Sequence, residues 1–290
     1  MLLKLFAVAN ALALRAVGAR RRRLRLGAAT LAYSRLGPRR GEPWVLVHGL
    51  GSVGTSWAPV VRALRRDCRL IVPEMSALGG SRVRGDAFSI QDGARAVARL
   101  IERELGGRPV TIAGLSLGGW MAVRLALARP ELVARLVLID AGGYREQDWA
   151  KIQYLVTVDD LAGVERLYRA LFVNVPWSFD HGRRGFLKAY TSKSVRTVLE
   201  ATREEDTYDD GDLARIRVPA AVVWGERDGI FPLATARAMA SALPQGSLRV
   251  LAGCGHGVHW ECPRALVEAI REFRRVTAAQ GAGVAVAALS

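Results

Sequence analysis

The chain has 290 residues, of which 50% are hydrophobic and 24% charged. This composition is typical of a globular protein. The length is sufficient for a full core, in one domain with an insertion or in two small domains. The formal net charge is +15, but ten basic residues precede the first acid, Glu42. Because no nucleic-acid-binding motif accompanies this basic segment, we expect no nucleic-acid partner.

The first 27 residues differ from the rest of the chain. Apolar side chains over residues 2–17 follow a helical spacing, but the run is shorter than the roughly 20 residues of a transmembrane span. Four arginines follow at 20–23, and each basic side chain near an anionic bilayer contributes on the order of 1 kcal/mol. We expect residues 1–27 to form a basic apolar helix on an anionic membrane surface. A helix packed on the protein itself is the alternative, so peripheral membrane association and a cytoplasmic location both stay open.

Apolar, β-branched runs alternate with helical patterns between residues 28 and 276. The runs lie at 44–47, 70–72, 109–113, 136–139, 219–224 and 248–251. This alternation predicts an α/β fold, with a mostly parallel central sheet covered by helices on both faces. Functional sites in such a sheet form at the carboxyl ends of the strands. One helix start is explicit, since Ser89 and Asp92 predict a capping box.

The strand-like runs stop between residues 143 and 212. Short helical stretches rich in aromatic residues replace them, which predicts a helical cap inserted between two strands. The core that contains the sheet is then expected at 28–142 and 213–276, and a minority of the cap aromatics should line an apolar pocket. The acidic run at 204–212 predicts a solvated loop, because its spacing matches no calcium-binding loop. The small residues of 277–290 predict a frayed tail.

A glycine-flanked serine lies between a buried strand and a helix. The sequence there is Gly114-Leu115-Ser116-Leu117-Gly118. The small flanking residues allow the strand and the helix to pass closely, while a sharp, strained turn exposes the serine hydroxyl. A Gly-rich turn with an idle serine is the alternative. The context of strand, turn and helix favours a nucleophilic serine.

Four motifs together resemble those of serine hydrolases with the α/β-hydrolase fold. They are His48-Gly49-Leu50-Gly51, the serine turn at 114–118, Trp224-Gly225-Glu226-Arg227-Asp228, and Gly255-His256 with Glu261-Cys262-Pro263. The resemblance covers residues 43 to about 275 and implies that fold, with the cap after the sixth core strand. Three further features are the apolar and basic N-terminal segment, Asp140-Ala141-Gly142-Gly143-Tyr144, and Cys254-Gly255-His256. In these the chain is also similar to monoacylglycerol-lipase-like members with a membrane-associated N-terminus. It departs from many members in the loop at 74–81, where Glu74 stands in place of an aspartate.

An acid and a histidine each follow a late strand, in the chain order serine, aspartate, histidine that this fold uses. A serine hydroxyl is a weak nucleophile, so a neutral imidazole must remove its proton. A buried carboxylate holds the correct tautomer of that imidazole. We assign Ser116 as nucleophile, His256 as base and then acid, and Asp228 as the orienting acid. Asp140, which also ends a strand, is the alternative acid.

The oxyanion of a tetrahedral intermediate needs hydrogen-bond donors. The backbone N–H of Leu117 begins a helix, where the dipole favours negative charge, and the N–H of Leu50 is the expected second donor. His48 is expected to hold the Leu50 loop by hydrogen bonds, and His259 to pack at a helix start. This chemistry requires no metal, nucleotide or flavin, so we expect no cofactor.

Three cysteines are present, and their number and spacing predict neither a disulfide framework nor a zinc site. Cys254 and Cys262 bracket His256. We expect both to be free thiols, with a bridge between them as the minority alternative.

The motifs favour a serine esterase or lipase that cleaves apolar acyl esters, with monoacylglycerols among the candidate substrates. A carbon–carbon bond hydrolase or a perhydrolase with the same triad is one alternative. A ligand receptor without catalysis on a hydrolase scaffold is another, since fold alone does not fix function. The acyl length, the alcohol portion and the oligomeric state stay open.

Overall fold

A computed structural model of the chain describes residues 11–27, 29–75, 81 and 89–287. Its centre is an eight-stranded sheet with the strand order β1-β2-β4-β3-β5-β6-β7-β8. The strands are β1 Arg20–Leu26, β2 Ala29–Leu36, β3 Glu42–Val47, β4 Cys68–Pro73, β5 Val110–Leu115, β6 Val133–Ile139, β7 Ala220–Gly225 and β8 Gly246–Leu251. Strands β3 to β8 are parallel, and only β2 among these eight pairs antiparallel with both neighbours. The predicted mostly parallel sheet is confirmed.

Helices follow most of the strands. They are α1 Ala58–Leu64, α2 Ile90–Leu105, α3 Leu117–Ala128, α4 Trp149–Val156, α5 Leu161–Leu171, α6 Trp177–Asp180, α7 Arg183–Tyr190, α8 Lys193–Ala201, α9 Asp210–Ala214, α10 Leu233–Ala242, α11 Val258–Glu261 and α12 Pro263–Ala287. The predicted capping box at Ser89 is confirmed, since its hydroxyl accepts from the N–H of Asp92 and the Asp92 carboxylate accepts from the N–H of Ser89. No helix in the described ranges has the length and the apolar character needed to cross a bilayer.

Two hydrophobic cores cover the two faces of the sheet. Val45 and Ile112 face the core that α2 and α3 share. Their neighbours Leu46 and Ala113 face the core that α1 and α12 share. This alternation follows from the two-residue period of a strand, which sends successive side chains to opposite faces. A sheet buried on both faces brings the carboxyl ends of its parallel strands to one edge, where the candidate residues lie.

The arginine run is a strand, and the prediction of a helix throughout residues 1–27 was wrong for this part. Residues 11–16 are helical, and β1 then pairs with β2 along its whole length. Leu24 and Leu26 alternate with arginines and pack on the core, while the arginines are exposed. The alternation of leucine and arginine therefore determines the structure of this run. The central sheet begins at Arg20, before the core boundary that was expected at residue 28. The predicted helical residues before 11 lie outside the described part of the chain.

The backbone of the insertion, residues 143–212, is described throughout and contains α4 to α8 and the start of α9. An isolated parallel β-bridge joins Tyr144 to Tyr208, near the two ends of the insertion. The solvated loop predicted at 204–212 was wrong in part. Asp206 is buried, its carbonyl accepts from the indole N–H of Trp120, and Asp209 caps α9. Short polar side chains readily cap helix starts.

The last helix is longer than expected. Helix α12 continues to Ala287, so the frayed tail predicted from residue 277 was wrong over 277–287. Alanine has the highest helix propensity of the amino acids, and five alanines lie between residues 278 and 287. Small residues there indicate helix continuation rather than its end.

Candidate functional site

The serine turn has the strained geometry that its glycines predict. Ser116 follows β5 with φ 53° and ψ −117°, outside the usual regions for a residue with a side chain. A Cβ on Gly118 would collide with the carbonyl oxygen of Val47, and one on Gly114 with the carbonyl oxygen of Gly118. Only glycine fits such close backbone approaches. The turn therefore holds Ser116, which is partly exposed, at the carboxyl edge of the sheet.

The loop after β3 lies directly beside this serine. A Cβ on Gly49 would lie 3.3 Å from the Cβ of Ser116 and 3.8 Å from its Oγ. Leu50 follows in the same loop, and Leu117 is the first residue of α3. A first-turn N–H has no partner within its own helix. Both backbone groups that we expect to bind the oxyanion therefore belong to segments next to Ser116.

His48 links this loop to the end of β4. Its Nε2 accepts from the N–H of Met75 at 2.9 Å, and Nδ1 lies 2.9 Å from the carbonyl oxygen of Gly49. Since Nε2 is an acceptor, the proton is on Nδ1, which donates to Gly49. Burial lowers the pKa of His48 to about 4, so the ring is neutral at pH 7. His48 thus acts as a fixed hydrogen-bonding link rather than as a base.

Glu74 holds the segment that follows this loop through a hydrogen bond. Its carboxylate accepts from the N–H of Gly54 at 2.8 Å and lies 3.9 Å from Nε2 of His48. The hydroxyl of Ser81 donates to the Glu74 carbonyl at 2.5 Å. Burial raises the pKa of the Glu74 carboxyl to about 7. Residues 76–80 of the loop at 74–81 lie outside the described ranges.

Asp228 and His256 form a buried pair. Nδ1 of His256 lies 2.8 Å from Oδ2 of Asp228, and the two side chains are 7% and 0% exposed. Oδ1 of Asp228 accepts from the N–H groups of Ile230 and Phe231 at 2.8 and 2.9 Å. Two backbone donors and one imidazole fix the carboxylate, which in turn directs Nε2 of His256 away from it.

Phe231 connects this pair to the serine turn. Its ring meets the ring of His256 edge-on, with centroids 5.2 Å apart. A Cβ on Gly142 would lie 3.1 Å from Cζ of Phe231 and 3.9 Å from the carbonyl oxygen of Ser116. The structure therefore brings Ser116, Asp228 and His256 to one edge of the sheet, as their strand-end positions predict.

Asp140, the alternative acid, is fully buried and directly follows the end of β6. Its Oδ1 accepts from the N–H of Gly225 at 2.8 Å, and it makes no hydrogen bond to His256 within the described residues. Burial, followed by the charge of Asp228, raises the pKa of the Asp140 carboxyl well above its usual value. This geometry favours Asp228 as the partner of His256.

Side chains from different strand ends converge here. One carboxyl oxygen each of Asp140 and Asp228 and one ring nitrogen of His256 lie within 4.8 Å of one another. Among the residues described, this is the one cluster of three side chains of types that bind metals. His259 is not part of it. That ring is buried at the start of α11, burial lowers its pKa to about 3, and neither nitrogen has a hydrogen-bond partner in the described structure.

Glu261 is a supporting residue to which sequence reasoning gave no role of its own. Its carboxylate accepts from the N–H of Gly255 at 2.9 Å, next to His256, and from the N–H groups of Val173 and Asn174 at 3.3 and 2.6 Å. One carboxylate therefore joins the His256 loop to the insertion. The sequence offered little indication of this role, because the three N–H donors come from two segments that are far apart along the chain.

The two cysteines around His256 form a disulfide, so the expectation of free thiols was wrong. Cys254 and Cys262 are bonded, with their Cα atoms 6.2 Å apart. The turn at 256–257 and the start of α11 fold the chain back, which brings two residues at a sequence separation of 8 into bonding range. The bridge closes the loop that carries His256. Cys68 is free and buried.

The end of α5 packs against both the acid and the histidine loops. The N–H of Gly257 donates to the carbonyl of Leu171 at 2.7 Å, and the N–H of Gly229 to that of Ala170 at 3.1 Å. The ring of Phe172 packs on Gly257. The insertion therefore forms part of the site's wall.

Aromatic rings of the insertion extend this wall towards the Leu50 loop. Phe172 and Phe179 have ring centroids 5.1 Å apart, and Phe186 stacks on Tyr190 at 4.8 Å. Tyr190 packs on Gly51. This series of rings gives the site an apolar wall between the His256 loop and the Leu50 loop.

Comparisons with known proteins agree with this architecture. The sequence matches the alpha/beta hydrolase family over residues 44–269. It is 24% identical over 259 residues to the monoacylglycerol lipase ABHD6 of Homo sapiens, covering 81% of this chain and 77% of that protein. It is 26% identical over 262 residues to the 2-hydroxy-6-oxononadienedioate/2-hydroxy-6-oxononatrienedioate hydrolase of Burkholderia vietnamiensis, covering 81% and 87%.

Solved structures give the same fold. The crystal structure of carboxylesterase CesB from Bacillus subtilis superimposes with a TM-score of 0.78 at 19% identity, covering 92% of this chain and 96% of that one. At this identity the likeness concerns the fold alone. Because the family match extends over most of the sequence, the chain belongs to the alpha/beta hydrolase family.

Proposed function

We propose that this chain is a serine hydrolase that cleaves carboxylic esters with apolar acyl chains. The observation that carries the proposal is the buried Asp228–His256 pair, with its 2.8 Å contact, at the sheet edge that also holds the strained Ser116 turn. A hydroxyl on such a turn is accessible, and an imidazole held by a carboxylate is the base that it needs.

The proposed reaction runs through an acyl-enzyme. Nε2 of His256 removes the Ser116 proton as Oγ attacks the ester carbonyl, and Asp228 stabilises the imidazolium that forms. The N–H groups of Leu50 and Leu117 bind the oxyanion, where loss of one donor typically costs about 3 kcal/mol. His256 then gives its proton to the leaving alcohol. Water, activated by the same imidazole, releases the acid.

The apolar wall favours a substrate that is recognised through an apolar acyl group. Phe231 lies against His256, and the rings from Phe172 to Tyr190 continue from there to the oxyanion loop. Apolar walls with few polar groups are typical of pockets for apolar ligands. A relative named as a monoacylglycerol lipase makes monoacylglycerols the first long-chain substrates to test.

A substrate panel tests this proposal. Initial rates are measured with p-nitrophenyl esters and monoacylglycerols of increasing chain length, and with a 2-hydroxy-6-oxodienoate, with Ser116→Ala as the control. The proposal expects ester turnover that rises from acetate towards longer chains. Cleavage of the dienoate alone would favour a carbon–carbon bond hydrolase, for which the Burkholderia relative gives the precedent. Peracid formation tests the perhydrolase alternative, and no turnover in any assay would favour a receptor.

We also propose that the edge strand β1 contacts an anionic lipid surface. All five arginines of this strand are exposed, and Leu12 on the preceding helical turn is 56% exposed. The test is sedimentation with phosphatidylglycerol vesicles, with phosphatidylcholine vesicles for comparison. Replacing Arg20, Arg23 and Arg25 by glutamine should reduce binding, while replacing the exposed Arg237, Arg249 and Arg264 should not. Equal loss in both variants would show a general charge effect and contradict the proposal.

A further inference from the structure

Asp140 is a buried acid that the proposed reaction does not use. Its side chain is 0% exposed, and its backbone has φ 42°, a strained value for a residue with a side chain. Oδ1 accepts from the N–H of Gly225, whereas Oδ2 has no N–H or hydroxyl donor in the described structure, and the carboxyl group of Asp228 lies beside it. Buried polar atoms rarely lack a partner, and such an exception needs an explanation.

The neighbouring groups are the ones that the proposed reaction does use. The loop after β7 carries Asp228, and the loop after β8 carries His256. One carboxyl oxygen each of Asp140 and Asp228 and one ring nitrogen of His256 lie within 4.8 Å of one another. No other histidine, cysteine or acid among the described residues joins this group. Asp140 is therefore separated from solvent and lies against a second carboxyl group.

The two carboxyl groups are not equivalent. Asp228 accepts three N–H donors, from Ile230, Phe231 and His256, and such donors favour the ionised form. Asp140 accepts one. Two adjacent carboxyl groups in a desolvated site do not both ionise readily, so the group with fewer donors keeps its proton.

We propose that Asp140 is a positioning residue that stays protonated and directs its acid group at the carboxylate of Asp228. The proposal rests on the proposed function, in which Asp228 orients His256. A neutral Asp140 leaves one negative charge beside the imidazole. Its O–H donates to the carboxylate of Asp228, so the Asp140 oxygen that has no N–H donor still makes a hydrogen bond. The raised pKa of Asp140, caused by burial and by the charge of Asp228, agrees with this state.

The test compares Asp140→Asn with Asp140→Leu. Asparagine mimics a neutral acid, since its oxygen still accepts from Gly225 and its amide still donates towards Asp228. Leucine removes both groups. Two readouts are used: the pH dependence of Ser116 labelling by a fluorophosphonate, and the titration of the His256 imidazole by NMR. Far-UV circular dichroism checks the fold, and Asp140→Ala replaces the leucine variant should that one not fold.

The proposal expects Asp140→Asn to label within about threefold of the unsubstituted protein, with the His256 pKa unchanged. It expects Asp140→Leu to label at least about tenfold more slowly, because Asp228 loses a donor. If Asp140 is instead ionised, Asp140→Asn removes a negative charge and lowers the His256 pKa by about one unit or more. That shift, or unchanged labelling of Asp140→Leu, would overturn the proposal.

Failure of the proposed function gives a different result. An unsubstituted protein that the fluorophosphonate does not label contradicts the nucleophilic role of Ser116. The NMR titration of His256 does not depend on that reaction, so it still reports the charge of Asp140.

Discussion

Nδ1 of His256 lies 2.8 Å from Oδ2 of Asp228, and the carboxylate is fully buried. The two residues are separated along the chain by β8, so the pair exists only in the folded sheet. Asp140, which also ends a strand, makes no hydrogen bond to His256 among the residues described and instead binds the N–H of Gly225. This arrangement gives the two acids different expected effects when they are neutralised.

Asp228→Asn should lower kcat by about 10⁴-fold, because an amide favours the wrong tautomer of His256. KM should change little, since Asp228 lies behind the imidazole. Ester hydrolysis at pH 7 measures both constants. Asp140→Asn is the matched control and should stay near the unsubstituted rate. The reverse ranking of the two variants would assign the orienting role to Asp140.

Glu261→Ala should lower stability by about 2–3 kcal/mol, because the N–H groups of Gly255, Val173 and Asn174 lose their acceptor. It should also lower kcat, since a misplaced His256 loop is costly for catalysis. Urea denaturation and ester turnover measure these effects.

Two further variants separate this loss from a general charge effect. Glu261→Gln keeps an acceptor oxygen and should retain part of the stability. Glu268→Ala removes an exposed acid on α12 and should change neither quantity. A Glu261→Ala protein as stable as the Glu268→Ala protein would contradict the role of Glu261.

Reduction of the Cys254–Cys262 bridge should lower stability by about 2–3 kcal/mol, the chain-entropy value for a loop of this size. The comparison is thermal unfolding with and without a reductant. A variant with alanine at both positions should be insensitive to the reductant, although Cys68 is still present. If the reductant lowers the melting temperature of that variant equally, the effect does not come from the bridge.

Glu74→Gln should become more stable relative to the unsubstituted protein as the pH rises. The folded-state pKa of Glu74 is raised from 4.5 to about 7, so the folded protein binds the proton more tightly than the unfolded chain. Stability from this group is fully present below about pH 4.5 and is lost as the pH rises through about 7, up to about 3 kcal/mol. Urea denaturation at pH 5 and pH 8 measures the change. A stability difference that is the same at both pH values would contradict it.

Local patterns predicted the parts of the site that depend on local geometry. The glycines around Ser116 predicted a close strand-to-helix turn, and backbone collisions at Gly114 and Gly118 explain why glycine is needed there. The fold followed from apolar runs, which the two-layer burial of the sheet explains. The positions of Asp228 and His256 after late strands placed them at the same edge as the serine.

Three other features were not predicted, each for its own reason. The role of Glu261 needs donors from residue 255 and from 173–174, which only the folded insertion brings together. The disulfide depends on how the chain turns around His256, which spacing alone does not reveal. In β1, arginine composition obscured the alternation of Leu24 and Leu26 that determines the strand.

In the proposed reaction, Ser116 is a nucleophile that His256 activates. The direct measurement is mass spectrometry of the protein after treatment with a fluorophosphonate. We expect one adduct, on Ser116, that forms much more slowly in His256→Ala and is absent in Ser116→Ala. A folded protein that forms no adduct, or one whose adduct persists in Ser116→Ala, would contradict it.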